Sequence, residues 1–143
     1  MRMIFLFSAL FVLTSCSTQR VVNFKYDEVS KILKNRFVTN YDEFKQSKPK
    51  VTERPGELSL YFESPVDFFY GVEVTLGARK LDCRNTSVSA WIIEDHRTFW
   101  GYTGRNRDME KDLLDVIQRR LRTGEWQRMP WRAKKEVKTK KRM

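Results

Sequence analysis

The amino-acid sequence predicts an α+β fold: a two-layer sandwich in which an antiparallel meander of three or four strands carries two helices on one face. Three observations lead there. Apolar residues recur at helical spacing in two segments, one before residue 40 and one after residue 105. Between them the pattern changes to alternation with a period of two, and the connections between alternating runs are too short for the crossovers that parallel strands need. The predicted order is helix, strand, strand, strand, helix, with both amphipathic helices burying their stripes against the sheet.

The first helix opens at Asp27, a good N-cap residue, with Glu28 in the first turn where a carboxylate complements the helix dipole. Val29, Ile32, Leu33 and Phe37 form its apolar face, while Lys31, Lys34 and Arg36 lie elsewhere on the wheel. Residues 40–56 carry Pro49, Pro55 and Gly56 as punctuation and read as a loop with room for one short strand before Pro49. Leu58, Leu60 and Phe62 then alternate with Ser59, Tyr61 and Glu63, giving a strand with one dry face. A turn at residues 64–67 leads into a second strand over 68–76, where Val72, Val74 and Leu76 alternate with Glu73 and Thr75. A third strand spans 86–94 with Val88, Ala90 and Ile92 on one side, and residues 98–102 are a candidate edge strand. The strongest helix signal covers 108–123: Met109, Leu113, Ile117 and Leu121 repeat every four residues, with Asn106 or Asp108 to cap the start. Asp108, Glu110 and Asp112 sit in its first turns, Arg119, Arg120 and Arg122 in its last, and Gly124 stands where a left-handed C-cap belongs.

Ahead of the domain, residues 1–15 have the layout of an export signal: Arg2, an apolar run from Ile4 to Leu13 broken only by Ser8, then Thr14 and Ser15. The run is too short to cross a ~30 Å hydrocarbon layer as a permanent helix. Leu13-Thr14-Ser15-Cys16 resembles the lipobox of bacterial lipoproteins, an aliphatic residue and two small ones before a cysteine. The resemblance implies a diacylglycerol thioether on Cys16, cleavage before it and acylation of the new amine. It also implies a partner, the membrane, and a place, the cell envelope; with Ser17 after the cysteine, that is the outer membrane facing the periplasm in a Gram-negative cell. Two or three acyl chains anchor a protein firmly, since each buried methylene contributes about 0.8 kcal/mol.

The organisation that follows is a signal peptide over 1–15, a lipid anchor and tether over 16–25, a single domain over 26–127 and a basic tail over 128–143. Residues 16–143 suffice for one core. With Cys16 spent on lipid, Cys83 has no second thiol to pair with and reads as a small buried side chain. The net charge of +10 is concentrated in the tail, where Arg128, Arg132, Lys134, Lys135, Lys138, Lys140, Lys141 and Arg142 face one acid, Glu136. In an exported protein such a run suits anionic lipid, cell-wall carboxylates or another envelope protein, and export excludes nucleic acid. Trp126 and Trp131, just before the lysines, and Trp100 and Tyr102 are candidate interface residues, as aromatics near arginines are in many interfaces. Trp126 and Trp131 have the alternative of packing back on the sheet; of the aromatic cluster Phe68, Phe69, Tyr70, Phe99, Trp100 and Tyr102, some are expected to fill the core and the remainder to line a groove or an interface.

Signs of catalysis are few. His96 is the single histidine and stands in Glu94-Asp95-His96-Arg97, where a solvated turn is expected, so no catalytic residues are assigned. No spacing suits zinc or calcium, no glycine-rich loop cradles phosphate, and no cofactor is implied. The leading expectation is a non-enzymatic binding or structural module on a lipid tether. The alternative is an envelope enzyme or accessory subunit acting around His96 and Cys83.

Overall fold

A computed structural model describes residues 17–96 and 101–132, Tyr102 through its backbone. The signal segment, Cys16, Trp100, the first part of the candidate edge strand and the tail residues Lys134, Lys135, Lys138, Lys140, Lys141 and Arg142 lie outside the described residues. The fold is mixed α+β, built on an open antiparallel sheet of six strands. These are β1 (Thr18–Val22), β2 (Lys50–Arg54), β3 (Glu57–Pro65), β4 (Tyr70–Lys80), β5 (Thr86–His96) and β6 (Tyr102–Arg105); the helices are α1 (Tyr26–Lys34) and α2 (Arg107–Thr123). No helix among the described residues is long and apolar enough to cross a membrane.

Strands β2 to β5 follow one another across the sheet, and β1 and β6 both pair with the outer edge of β5. The predicted alternation is present in the three central strands: Leu58, Leu60 and Phe62, Val72, Val74 and Leu76, and Val88, Ala90 and Ile92 are buried. They form one core cluster with Val29, Leu33 and Phe37 from the α1 region and Met109, Leu113, Leu114 and Ile117 of α2. Asn106 caps α2 by accepting the Met109 amide at 2.9 Å, and Gly124 closes it at φ +81°. The β2–β3 turn places Gly56 at φ +73° after Pro55, the arrangement of a type II turn. The N-cap of helix α1 falls two residues earlier than expected, at Lys25, which leaves Asp27 in the first turn.

Several expectations need correction. Residues 18–22 are not a free tether but strand β1, registered against Thr86 to Ala90, so the domain begins before residue 26. The short strand in the 40–56 segment follows Pro49 instead of preceding it; a 3-10 turn, Tyr41–Phe44, comes first. β2 is exposed along its whole length and bears Lys50, Glu53 and Arg54, charges that discourage edge-to-edge pairing. At the other end, Met129 and Trp131 are 5 % and 2 % exposed within the core, so the domain reaches past residue 127 and Trp131 is not a surface anchor. Trp131 lies against Phe62 with ring centroids 6.4 Å apart. Phe68 and Phe69 do not fill the core: they project from the β3–β4 turn, 83 % and 57 % exposed. Cys83 is exposed in the β4–β5 turn, where a side chain leaves the alternating part of the strands.

One seam ties these elements together. β1 pairs with β5 as far as Ala90 and β6 resumes at Ile93, leaving the backbone of Ile92 between the two strands. The Glu110 carboxylate, with no exposure at all, accepts the Ile92 amide at 2.9 Å, while the Ile92 carbonyl accepts the Asn106 amide at 3.0 Å. The same carboxylate accepts Thr18 Oγ1 of β1 at 2.6 Å and a forked pair of bonds from Arg105 of β6 at 2.9 Å each. Arg105 in turn lies 4.0 Å over the Trp91 ring. Burial alone would raise the Glu110 carboxyl, but the bonds from Arg105, Thr18 and the Ile92 amide outweigh it and hold its pKa below the ordinary 4.5.

Because the folded pKa is lowered, this stabilisation is complete above the ordinary carboxylate range and is lost as pH falls through the folded value. Glu110→Ala leaves Arg105, Thr18 and the Ile92 amide without their acceptor and is expected to cost about 3–5 kcal/mol in urea unfolding at neutral pH. Glu110→Gln is expected to flatten the acid limb of stability against pH; an unchanged limb would place the acid sensitivity elsewhere. Ending the chain after Gln127 removes Met129 and Trp131 from the core and is expected to cost at least the ~3–5 kcal/mol of a single buried tryptophan truncation, read from the same unfolding curves.

Candidate functional site

Immediately after α1 the chain widens into a π turn, Asn35–Thr39, closed by the Asn40 amide donating to the Asn35 carbonyl at 3.2 Å. Such turns break the 3.6 period and recur at functional sites. Here the turn buries two consecutive residues, Arg36 at 6 % exposure and Phe37 at none. Phe37 stacks on Phe62 with centroids 5.2 Å apart and meets Trp126 edge-on at 5.8 Å. The Arg36 guanidinium lies 3.0 Å over the Phe44 ring and 6.0 Å from Trp126, against whose ring Arg120 also lies at 5.8 Å.

A cavity of about 260 Å³ opens beside these rings, lined among others by Arg36, Phe44, Trp126, Arg128, Trp131 and Arg132. Among the described residues, no acidic one lines it. Arg132 donates from Nη2 to the Phe44 carbonyl at 3.1 Å, which fixes the 3-10 turn against the chain after α2. Gln46, itself buried, donates to the Phe37 carbonyl at 2.9 Å and secures the π turn from the other side. Nε and Nη1 of Arg36 and Nε1 of Trp131 are buried without a hydrogen-bond partner. Burial pushes the Arg36 pKa down to about 10; Glu43 opposes the shift and Arg132 adds to it.

The structure therefore brings together Trp126, Trp131, Arg128 and Arg132, four residues expected from the sequence to bind something, and adds Arg36, which helical periodicity had not placed inside. They line one cavity. What it offers chemically is positive charge and the donors of arginine and indole between aromatic walls, with Gln46, Ser64 and Gln127 in the lining able to accept as well as donate.

His96 and Cys83 are not gathered into one site. Cys83 precedes β5 and His96 ends it, so the eleven residues of the strand separate them by roughly 35 Å at ~3.3 Å per residue. His96 is the last residue of that strand and not a turn residue; its ring is 4.8 Å from Tyr70. Tyr70 donates to Glu94 at 2.9 Å, Asn106 donates to the same carboxylate at 3.0 Å, and His96 Nε2 lies 3.5 Å from it. Burial and then the bond to Glu94 push the Tyr70 hydroxyl well above its ordinary range. Within this cluster Glu94 has partners on both oxygens, and the described residues hold no group of three or more potential metal ligands. Comparison with protein-family models, curated proteins and solved structures finds no match.

A buried guanidinium with unfilled donors lowers stability. Arg36→Met, which keeps the stem and drops the charge, is expected to raise the urea midpoint by the equivalent of about 1 kcal/mol once the lost ring contact is deducted. A fall of that size would mean that the contact with Phe44 outweighs the unmade hydrogen bonds.

Proposed function

We propose that this chain is a lipid-anchored lipoprotein of the cell envelope whose domain is a non-catalytic binding module, with the cavity around Arg36 as its binding surface. The observation that carries the address is Leu13-Thr14-Ser15-Cys16 directly after the apolar run. In this reading Cys16 bears the lipid and holds the domain at the membrane, on the periplasmic side of the outer membrane in a Gram-negative cell. The short interval to the fold supports it. A single residue, Ser17, separates Cys16 from β1, so the chain between a lipidated Cys16 and the start of the strand could span at most about 7 Å. The basic residues Lys134, Lys135, Lys138, Lys140, Lys141 and Arg142 then meet anionic lipid or cell-wall carboxylates at high effective concentration.

The domain reading rests on the single core that α1, α2 and one face of the sheet share, the burial expected of a two-layer sandwich. The binding reading rests on the collection of unpartnered donors at one cavity.

Mass spectrometry of the intact protein from its native envelope tests the address. A mature chain beginning at Cys16 with added acyl mass, absent from a Cys16→Ser variant that also leaves the membrane fraction, is the expected result. A chain that begins elsewhere and carries no lipid would overturn it.

A further inference from the structure

We propose that the cavity between the π turn, the 3-10 turn and residues 126–132 binds a small oxyanion, a carboxylate or a phosphate, against the buried Arg36 guanidinium. This deepens the reading of the cavity as a binding surface and is independent of the lipid anchor.

The first argument is the state of Arg36. Its side chain is more than nine-tenths buried, its flat face is covered by Phe44 at 3.0 Å, and its Nε and Nη1 have no partner. A ring beneath the plane neutralises part of the charge but leaves the in-plane N–H groups unfilled. Buried polar groups almost always find partners, and a buried cation without one is unfavourable unless a ligand completes it. The second argument is that Trp131, from another element, lines the same cavity, and its Nε1 is also buried without a partner.

The ligand's chemistry follows from the lining. Arginine and indole donate and never accept, so a molecule that satisfies them must present acceptors; Arg132 and Arg128 add positive charge, and among the described residues no carboxylate lines the space. An oxyanion is acceptor-only, and its charge-assisted bonds to arginine are stronger than neutral ones. A cavity of about 260 Å³ suits a small group of this kind, with Trp126 and Phe44 as apolar walls for whatever it is attached to.

The test is thermal unfolding of the full chain in mild detergent, followed by tryptophan fluorescence, in sodium phosphate, sodium acetate and sodium chloride at equal ionic strength. A higher midpoint in phosphate or acetate than in chloride, saturating with concentration and absent in Arg36→Met, is the expected result. Arg36→Lys, which keeps charge but loses the planar donors, is expected to weaken the apparent affinity at least tenfold. Equal midpoints in the three salts, or a shift that survives in Arg36→Met, would overturn the site. Should Arg36→Met fail to fold, Trp131→Phe removes the indole donor and keeps an aromatic ring; a several-fold loss of affinity supports the site and an unchanged affinity refutes it. If phosphate is the ligand, sedimentation of Cys16→Ser with phosphatidylglycerol vesicles separates its sources. Binding that Arg36→Lys abolishes identifies a lipid headgroup, and a response to inorganic phosphate without it identifies a soluble phosphate. Loss of lipidation in the mass measurement would leave these outcomes unaffected.

Discussion

A single carboxylate with no exposure to water holds the junction at which this fold closes. Glu110 belongs to α2, yet its acceptors are spent on three strands: the Thr18 hydroxyl of β1, the Ile92 amide of β5 and the Arg105 fork of β6. Two strands that end on one edge of a sheet leave a backbone amide between them with nothing to meet. Here the helix supplies the acceptor, and the arginine that neutralises it comes from the next strand. The arrangement is costly to desolvate and strongly cooperative, because each partner is satisfied only while the others are in place. Arg20 of β1 adds an ion pair to Asp115 on the same helix, so β1 and α2 are held to each other and to β5.

Much of this architecture was legible in the residues. Helix α2 announces itself through its apolar stripe, its charge gradient and Gly124, each of which appears where expected, and of the two candidate caps it is Asn106 that serves. The alternation in β3, β4 and β5 was equally plain, because those strands bury one face and expose the other. Strands β1 and β2 carried no such signal. β2 is exposed on both faces, and β1 buries Val22 alone among its residues, so neither has an alternation to read; both exist because a neighbouring edge offers hydrogen bonds. Glu110 was assigned to the helix dipole, since its position in the first turn gave no hint of the gap in the sheet beside it.

The candidate site was half legible for a related reason. Trp126, Trp131, Arg128 and Arg132 stand out by type, and proximity in sequence already groups them. Arg36 is distant in the chain and was placed by a helical period that the π turn breaks. Two partly or wholly buried arginines now present opposite cases. Arg105 has its carboxylate and needs nothing more from outside. Arg36 has rings on its faces and unfilled donors at its edges, and that difference directs attention to one as structural and to the other as a place for a ligand.

The pairing of β1 has a mechanical consequence. Its five residues lie antiparallel along β5, and the chain enters the strand from the Thr18 end, at the middle of that edge. A pull on the N-terminus directed along the strand loads its rungs together in shear, whereas a pull across the sheet opens them one after another, beginning beside Glu110. The strength of the attachment therefore depends on the direction of tension, and a domain held from its N-terminus keeps β1 in place most firmly when it is drawn lengthwise along its own sheet.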